Sequence, residues 1–137
     1  MLDLDALARC VARCPGVVAA WLFGSLARGD ERADSDLDLA VLMRPGEDLA
    51  SLRDLSVGLE RFSPSGRVDI VVLGRQGPVF RHHVLREGRL LVDEDPRVRQ
   101  AFEARTHVEY FDWKPTHDIA MASALVGLRR RFGERTA

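Results

Sequence analysis

Residues 21–42, WLFGSLARGDERADSDLDLAVL, decide how the chain is read. One apolar run ends at Phe23 and another opens at Leu37. Between and just inside them stand Gly24-Ser25, the triplet Arg28-Gly29-Asp30, and the acids Asp34, Asp36 and Asp38. A polar segment between two core-forming runs suits a phosphate loop, a cation site, both together in an enzyme, or a solvated surface loop.

Two familiar loops are excluded by chemistry. Gly24 and Gly29 keep the glycine gap of a P-loop, but Asp30 and Glu31 follow where Lys and then Ser or Thr are needed. An acid cannot replace a lysine that reaches the β- and γ-phosphates. Asp34, Asp36 and Asp38 alternate like the first ligands of an EF-hand. The turn glycine is replaced by Leu39, and the closing glutamate by Pro45. Arg28-Gly29-Asp30 matches a cell-adhesion triplet, read here as chance because the amino terminus has no signal-peptide pattern.

A strand fits better. Residues two apart on a strand share a face, so Asp36 and Asp38 project together while Leu37 and Leu39 turn to the core. Neighbouring carboxylates repel one another unless a positive charge sits between them. A divalent cation supplies that charge, and magnesium favours one or two carboxylates with phosphate oxygens and water. Gly24 lets backbone approach a phosphate, and Ser25 offers a hydroxyl and an N–H to it. A helix starting at Ser25 would point further N–H groups at the same anion. In RVDIVVL, Asp69 alternates with Val68 and Ile70. If that strand pairs with the Leu37 strand, Asp69 lies across from the first two acids, placed for a second metal and for general-base work. The competing reading of Asp36 and Asp38 is a solvated strand edge whose charges discourage pairing. For Ser25 it is a plain helix cap, and for Asp69 a surface acid at a strand end.

The rest of the chain frames this segment. With 137 residues, 46% hydrophobic and 30% charged, it is sized for one globular domain. Its net charge of -1 gives no case for nucleic acid or membrane as a partner. No run approaches the roughly 20 apolar residues of a membrane span, and a cytoplasmic location is expected. Cys10 and Cys14 have no second Cys or His pair at ligand spacing, and are expected as two reduced, partly buried thiols. Apolar spacing, with Leu4, Leu7, Val11 and Cys14 on one face, predicts a helix within LDLDALARCVARC (2–14), stopped by Pro15-Gly16. Strands are expected at 17–23, 37–42 and 68–73, with a helix over 47–62 between the last two. A short helix after Pro78, a strand at RLLV, and a helix capped by Asp95-Pro96 running to about Phe111 follow. Pro115-Thr116 is expected to interrupt that helix and start another. His82 and His83 are expected on a helix surface, Tyr110, Phe111 and Trp113 in a packing or subunit contact, and Arg129 to Arg131 at a helix carboxyl end. The fold class is α+β with a small mixed sheet flanked by helices. The domain is single, 1–137, with a core over about 1–95 and a helical extension over about 96–137.

Gly24-Ser25, ten residues, then Asp36-Leu37-Asp38 resembles the signature of the DNA polymerase β-type nucleotidyltransferase superfamily. The short chain, with Arg28-Gly29 and Ser35 ahead of the acids, is similar to the minimal nucleotidyltransferases, the MntA-type antitoxins. The resemblance is carried by residues 21–42 and supported through Leu73, and FEARTHVEYFDW is similar to the carboxyl-terminal part of such antitoxins. It implies a polymerase β-like fold, Mg-ATP with two metal ions on Asp36, Asp38 and Asp69, and nucleotide contacts from Gly24, Ser25, Arg28 and Ser35. It also implies AMP transfer to a hydroxyl of a HEPN-domain toxin, an RNase, in a toxin–antitoxin pair, with a hetero-oligomer or homodimer as the assembly. Arg28 is equally suited to holding the aspartates around it. Two other functions stay open: an antitoxin acting by contact alone, and an adenylyltransferase of small molecules.

Overall fold

The structure, a computed structural model, describes residues 2–46 and 49–132, with side chains described through residue 114. The chain opens with helix α1 (Leu4–Ala12), whose first turn is capped by Asp3 accepting from the Ala6 N–H at 3.1 Å. Leu7 and Val11 are its buried stripe. Strand β1 (Val17–Phe23) leads into a single turn of helix, α2 (Ser25–Arg28), and then strand β2 (Leu37–Met43). Helix α3 (Ala50–Leu59) ends in a 3-10 turn over Glu60–Phe62. Strand β3 (Val68–Val72), helix α4 (Pro78–Glu87), strand β4 (Arg89–Asp93) and helix α5 (Pro96–Phe132) complete the order.

The four strands form one mixed sheet in the order β3-β2-β1-β4. β1 runs antiparallel to both β2 and β4, while β2 and β3 are parallel, joined by the α3 crossover. Each face of the sheet carries its own core. On one, Leu22, Leu37, Leu39 and Val41 pack with Leu7 of α1 and Leu59 of α3. On the other, Trp21, Ala40 and Leu42 pack with Val84 of α4 and Phe102 of α5. The fold class expected from sequence is the one observed.

Most elements lie where periodicity puts them. The strand expected at 68–73 stops at Val72, because Leu73 begins a 3-10 turn and buries completely. The helix expected from residue 47 is described from Ala50, and residues 47 and 48 lie outside the described residues. Asp95 caps α5 as expected, its Oδ1 accepting from the Val98 N–H at 3.3 Å. The expected break at Pro115-Thr116 is corrected: α5 continues through both to Phe132. A proline removes one N–H and crowds one carbonyl. Good helix formers on either side, such as Glu109 before it and the Ala-Met-Ala run after it, keep propagation favourable across one lost bond. The side chains of Thr116 and Arg129 to Arg131 lie outside the described residues.

Cys10 is half-buried, Cys14 is buried, and both are free thiols, as expected. His82 is not a plain surface residue: its ring stacks on Tyr110 at 3.8 Å and meets His107 edge-on, tying α4 to α5. Arg81 of α4 pairs with Glu109 of α5 across the same contact. Among the described residues no helix is long and apolar enough to cross a membrane.

Leu39 is fully buried on the α1/α3 face, between two residues of the opposite face. Leu39→Ala is therefore expected to destabilise the chain by about 3 kcal/mol through lost contacts and the cavity left behind. Urea unfolding reads this as a lower midpoint with an unchanged slope.

Candidate active site

The site lies where β1 ends and β2 and β3 begin. Parallel pairing sets Asp38 beside Asp69, with Leu37 beside Val68 and Leu39 beside Ile70. Register partners point to the same face. The antiparallel pair adds Phe23 beside Asp38 on that face. Phe23 in turn meets Phe80 of α4 edge-on at 5.7 Å. The acids therefore stand at the rim of the core beneath α4, while Leu37 and Leu39 are buried on the opposite face.

Asp38 and Asp36 sit in opposite electrostatic settings. Burial, then repulsion from Asp69 and from Asp36, pushes the Asp38 carboxyl above its ordinary value of 3.8, against a lesser pull from Arg28. Asp36 goes the other way. The Ser65 hydroxyl donates to Oδ1 at 2.7 Å and the Arg67 Nε donates to the same oxygen at 2.9 Å. The Ser65 hydrogen bond, then the charge and hydrogen bond of Arg67, hold Asp36 below the ordinary value despite some desolvation.

Gly24 is the backbone wall of the site. Its φ of +75° is open to glycine and rarely to other residues. A Cβ there would run into the Asp38 carboxylate, with Cγ only 3.1 Å away. Ser25 opens α2, whose four residues end at the left-handed Gly29. One turn carries little helix dipole, so any anion there would rely on individual N–H and hydroxyl groups. Arg28 reaches back to Asp30, Nε to Oδ2 at 3.3 Å, while its charge is still felt at Asp38. Asp30, Glu31 and Asp34 are exposed, as expected of a solvated loop.

Ser35 is buried, and its hydroxyl accepts from the Arg32 N–H at 2.9 Å. Its carbonyl accepts from the Ser65 N–H at 3.0 Å. The residue shapes the turn that delivers Asp36. Reading the sequence missed Ser65 and Arg67. The register carries their signal: with Asp38 beside Asp69, the residues two before each, Asp36 and Arg67, fall side by side.

Only oxygen donors meet here, the set that suits a hard cation such as magnesium. Asp38, Asp69 and the bare Gly24 backbone fit that use. Among the described residues no three acids, imidazoles or thiols already converge as a metal cage. Asp36 is instead drawn to Ser65 and Arg67.

Residues 6–97 match the family described as polymerase beta, nucleotidyltransferase. The chain belongs to this nucleotidyltransferase family. A solved structure of a proposed minimal nucleotidyltransferase shares 40% identity, with 63% of this chain and 86% of that one covered at a TM-score of 0.53. The fold is also that of a chain in a toxin–antitoxin crystal structure with AMP-PNP: 22% identity, 90% and 99% covered, TM-score 0.75. A chain in the structure of tri-AMPylated Shewanella oneidensis HEPN toxin in complex with MNT antitoxin has a similar fold as well: 19% identity, 90% and 99% covered, TM-score 0.67. A comparison with curated proteins gives no match.

Two outcomes follow from this geometry. Gly24→Ala is expected to displace the Asp38 carboxylate and to destabilise the chain by about 1–3 kcal/mol, as strained left-handed backbone does. Thermal unfolding checks it. Asp38→Asn removes a charge whose ionisation is disfavoured in the fold. Because the folded value is raised, the penalty sets in as pH climbs through the ordinary 3.8 and is complete above the raised value. The variant should unfold at a higher temperature at neutral pH without added metal, and the gain should vanish below the ordinary carboxylate value.

Proposed function

We propose that the protein is a Mg-ATP-dependent adenylyltransferase that moves AMP to a hydroxyl of a partner protein. The observation that carries this reading is the Asp38–Asp69 register, with Asp36 two residues ahead and the Gly24 backbone against Asp38. Asp36 and Asp38, with Asp69, are the residues that would hold the metal ions. Bound there, magnesium would neutralise triphosphate charge and stabilise the charge that develops on the leaving group.

The chain's own residues supply the rest. Gly24 admits the phosphates against bare backbone, and Ser25 offers them its hydroxyl and N–H. Arg28, at the end of the same turn, leaves Asp30 to meet phosphate charge. Ser35 fixes the turn that presents Asp36. Asp69 is exposed on the outermost strand, where an incoming hydroxyl can reach it, and acts as base. The acceptor oxygen forms a bond to the α-phosphorus, the α–β anhydride bond breaks, and pyrophosphate leaves with that bond's electrons.

We further propose that the acceptor belongs to a HEPN-domain toxin and that the modification silences it, making this chain an antitoxin in the cytoplasm. The support is likeness: similar folds occur in a toxin–antitoxin structure with AMP-PNP and in a complex with an AMPylated HEPN toxin. In this reading the domain is single, a core over about 1–95 with a helical extension, and the working assembly is a hetero-oligomer with the toxin.

The test is transfer of label from α-labelled ATP with magnesium to the protein encoded beside this one. Asp36→Asn and Asp38→Asn should each lower transfer by about a thousandfold with the fold intact. Asp69→Asn should lower it by about 10²–10⁴-fold if it is the base. Protection of cells that survives Asp36→Asn undiminished would overturn the enzymatic reading and leave an antitoxin that acts by contact.

A further inference from the structure

The acids do not stand alone on their face of the sheet. Asp38 pairs with Asp69, and one step earlier in the same register Leu37 pairs with Val68. The next step back sets Asp36 beside Arg67. The result is a patch of three carboxylates and one guanidinium where two parallel strands begin.

Arg67 is held at its corner by more than its charge. Its carbonyl accepts from the Leu37 N–H at 3.0 Å and from the Ser63 hydroxyl at 2.7 Å. Its own N–H donates to the Ser65 hydroxyl at 3.1 Å. The loop 63–67 is tied back to residue 35 through the Ser65 N–H and the Ser35 carbonyl at 3.0 Å. The backbone therefore cannot carry Arg67 away, and its Nε rests 2.9 Å from Asp36 Oδ1. An ion pair this exposed, with 69% of the Arg67 side chain open to water, contributes little to stability. Its consequence lies elsewhere: it occupies one carboxylate oxygen of Asp36 and sets a positive charge at the edge of the acid patch.

We infer that Arg67 is a resident counter-ion of the acid patch, competing with a divalent cation for Asp36 and setting how tightly that cation is held. The inference rests on the metal-binding reading of Asp36, Asp38 and Asp69. With no cation present, the guanidinium offsets part of the repulsion among the three carboxylates. When a cation binds, Arg67 must yield Oδ1, and its charge opposes the newcomer at close range. Arg67 is a positioning residue, and its removal should tighten metal binding where the loss of a merely structural residue would loosen it.

Mn2+ alone, without nucleotide, is the probe, with free and bound ion separated by electron paramagnetic resonance at low ionic strength. Arg67→Gln should raise affinity about three- to tenfold, the effect of one unit charge on a divalent ion roughly 6 Å away in a watery setting. The rise should shrink as salt is added. Arg67→Lys, which keeps the charge, should stay within about twofold of wild type on the same Coulomb argument. Unchanged or weaker binding in Arg67→Gln, or an equal rise in Arg67→Lys, overturns the counter-ion. Asp38→Asn separates the two claims. If wild type binds no Mn2+, or Asp38→Asn binds it as well as wild type, the metal reading itself falls. If Asp38→Asn abolishes binding and Arg67→Gln changes nothing, only the role of Arg67 falls.

Discussion

The parallel pairing of β2 with β3 is the constraint from which the site follows. It sets Asp38 beside Asp69, an arrangement that two free carboxylates in water would avoid. What enforces it is the other face of the same strands, where Leu37, Leu39 and Val41 are completely buried. A slip of one residue would turn those side chains to the opposite face, at a cost of several kcal/mol for three large apolar groups. Repulsion between two part-solvated carboxylates is far smaller. The apolar face wins, and the acids are carried along.

The surrounding residues moderate that enforced repulsion. Arg67 and Ser65 draw Asp36 away from its neighbours and lower its proton affinity. Nothing comparable relieves Asp38, whose carboxyl is pushed up by burial and by both other acids. Gly24 makes matters tighter by bringing its backbone against Asp38 where any Cβ would collide. Like charge is thus gathered at one place, against a glycine that no other residue could replace without a clash.

How much of this the sequence carried depended on the range of the interaction. Asp36 and Asp38 were legible because strand alternation is local and the Gly24-Ser25 pair stood at a recognisable distance. Asp69 was legible once two apolar runs were assumed to pair. Arg67 and Ser65 were not, because their partner lies 31 and 29 residues away and only the exact register brings them to it. Ser35, grouped with the nucleotide contacts by resemblance, accepts the Arg32 N–H on its hydroxyl, a local bond that sequence alone does not show. Pro115 misled for a different reason. A proline's penalty is fixed and local, while propagation of a long helix is cumulative, and over the length of α5 the sum prevails.

The placement of the acids also bears on what can reach them. β3 is an outer strand of the sheet, and both Asp69 and Arg67 are exposed on it. On the inner side Phe23 stands beside Asp38 and meets Phe80 of α4 edge-on. Under the proposed function, an acceptor would reach Asp69 over the exposed edge of β3. In the same reading, a hydroxyl presented on another protein's surface would bring its own positioning to that edge.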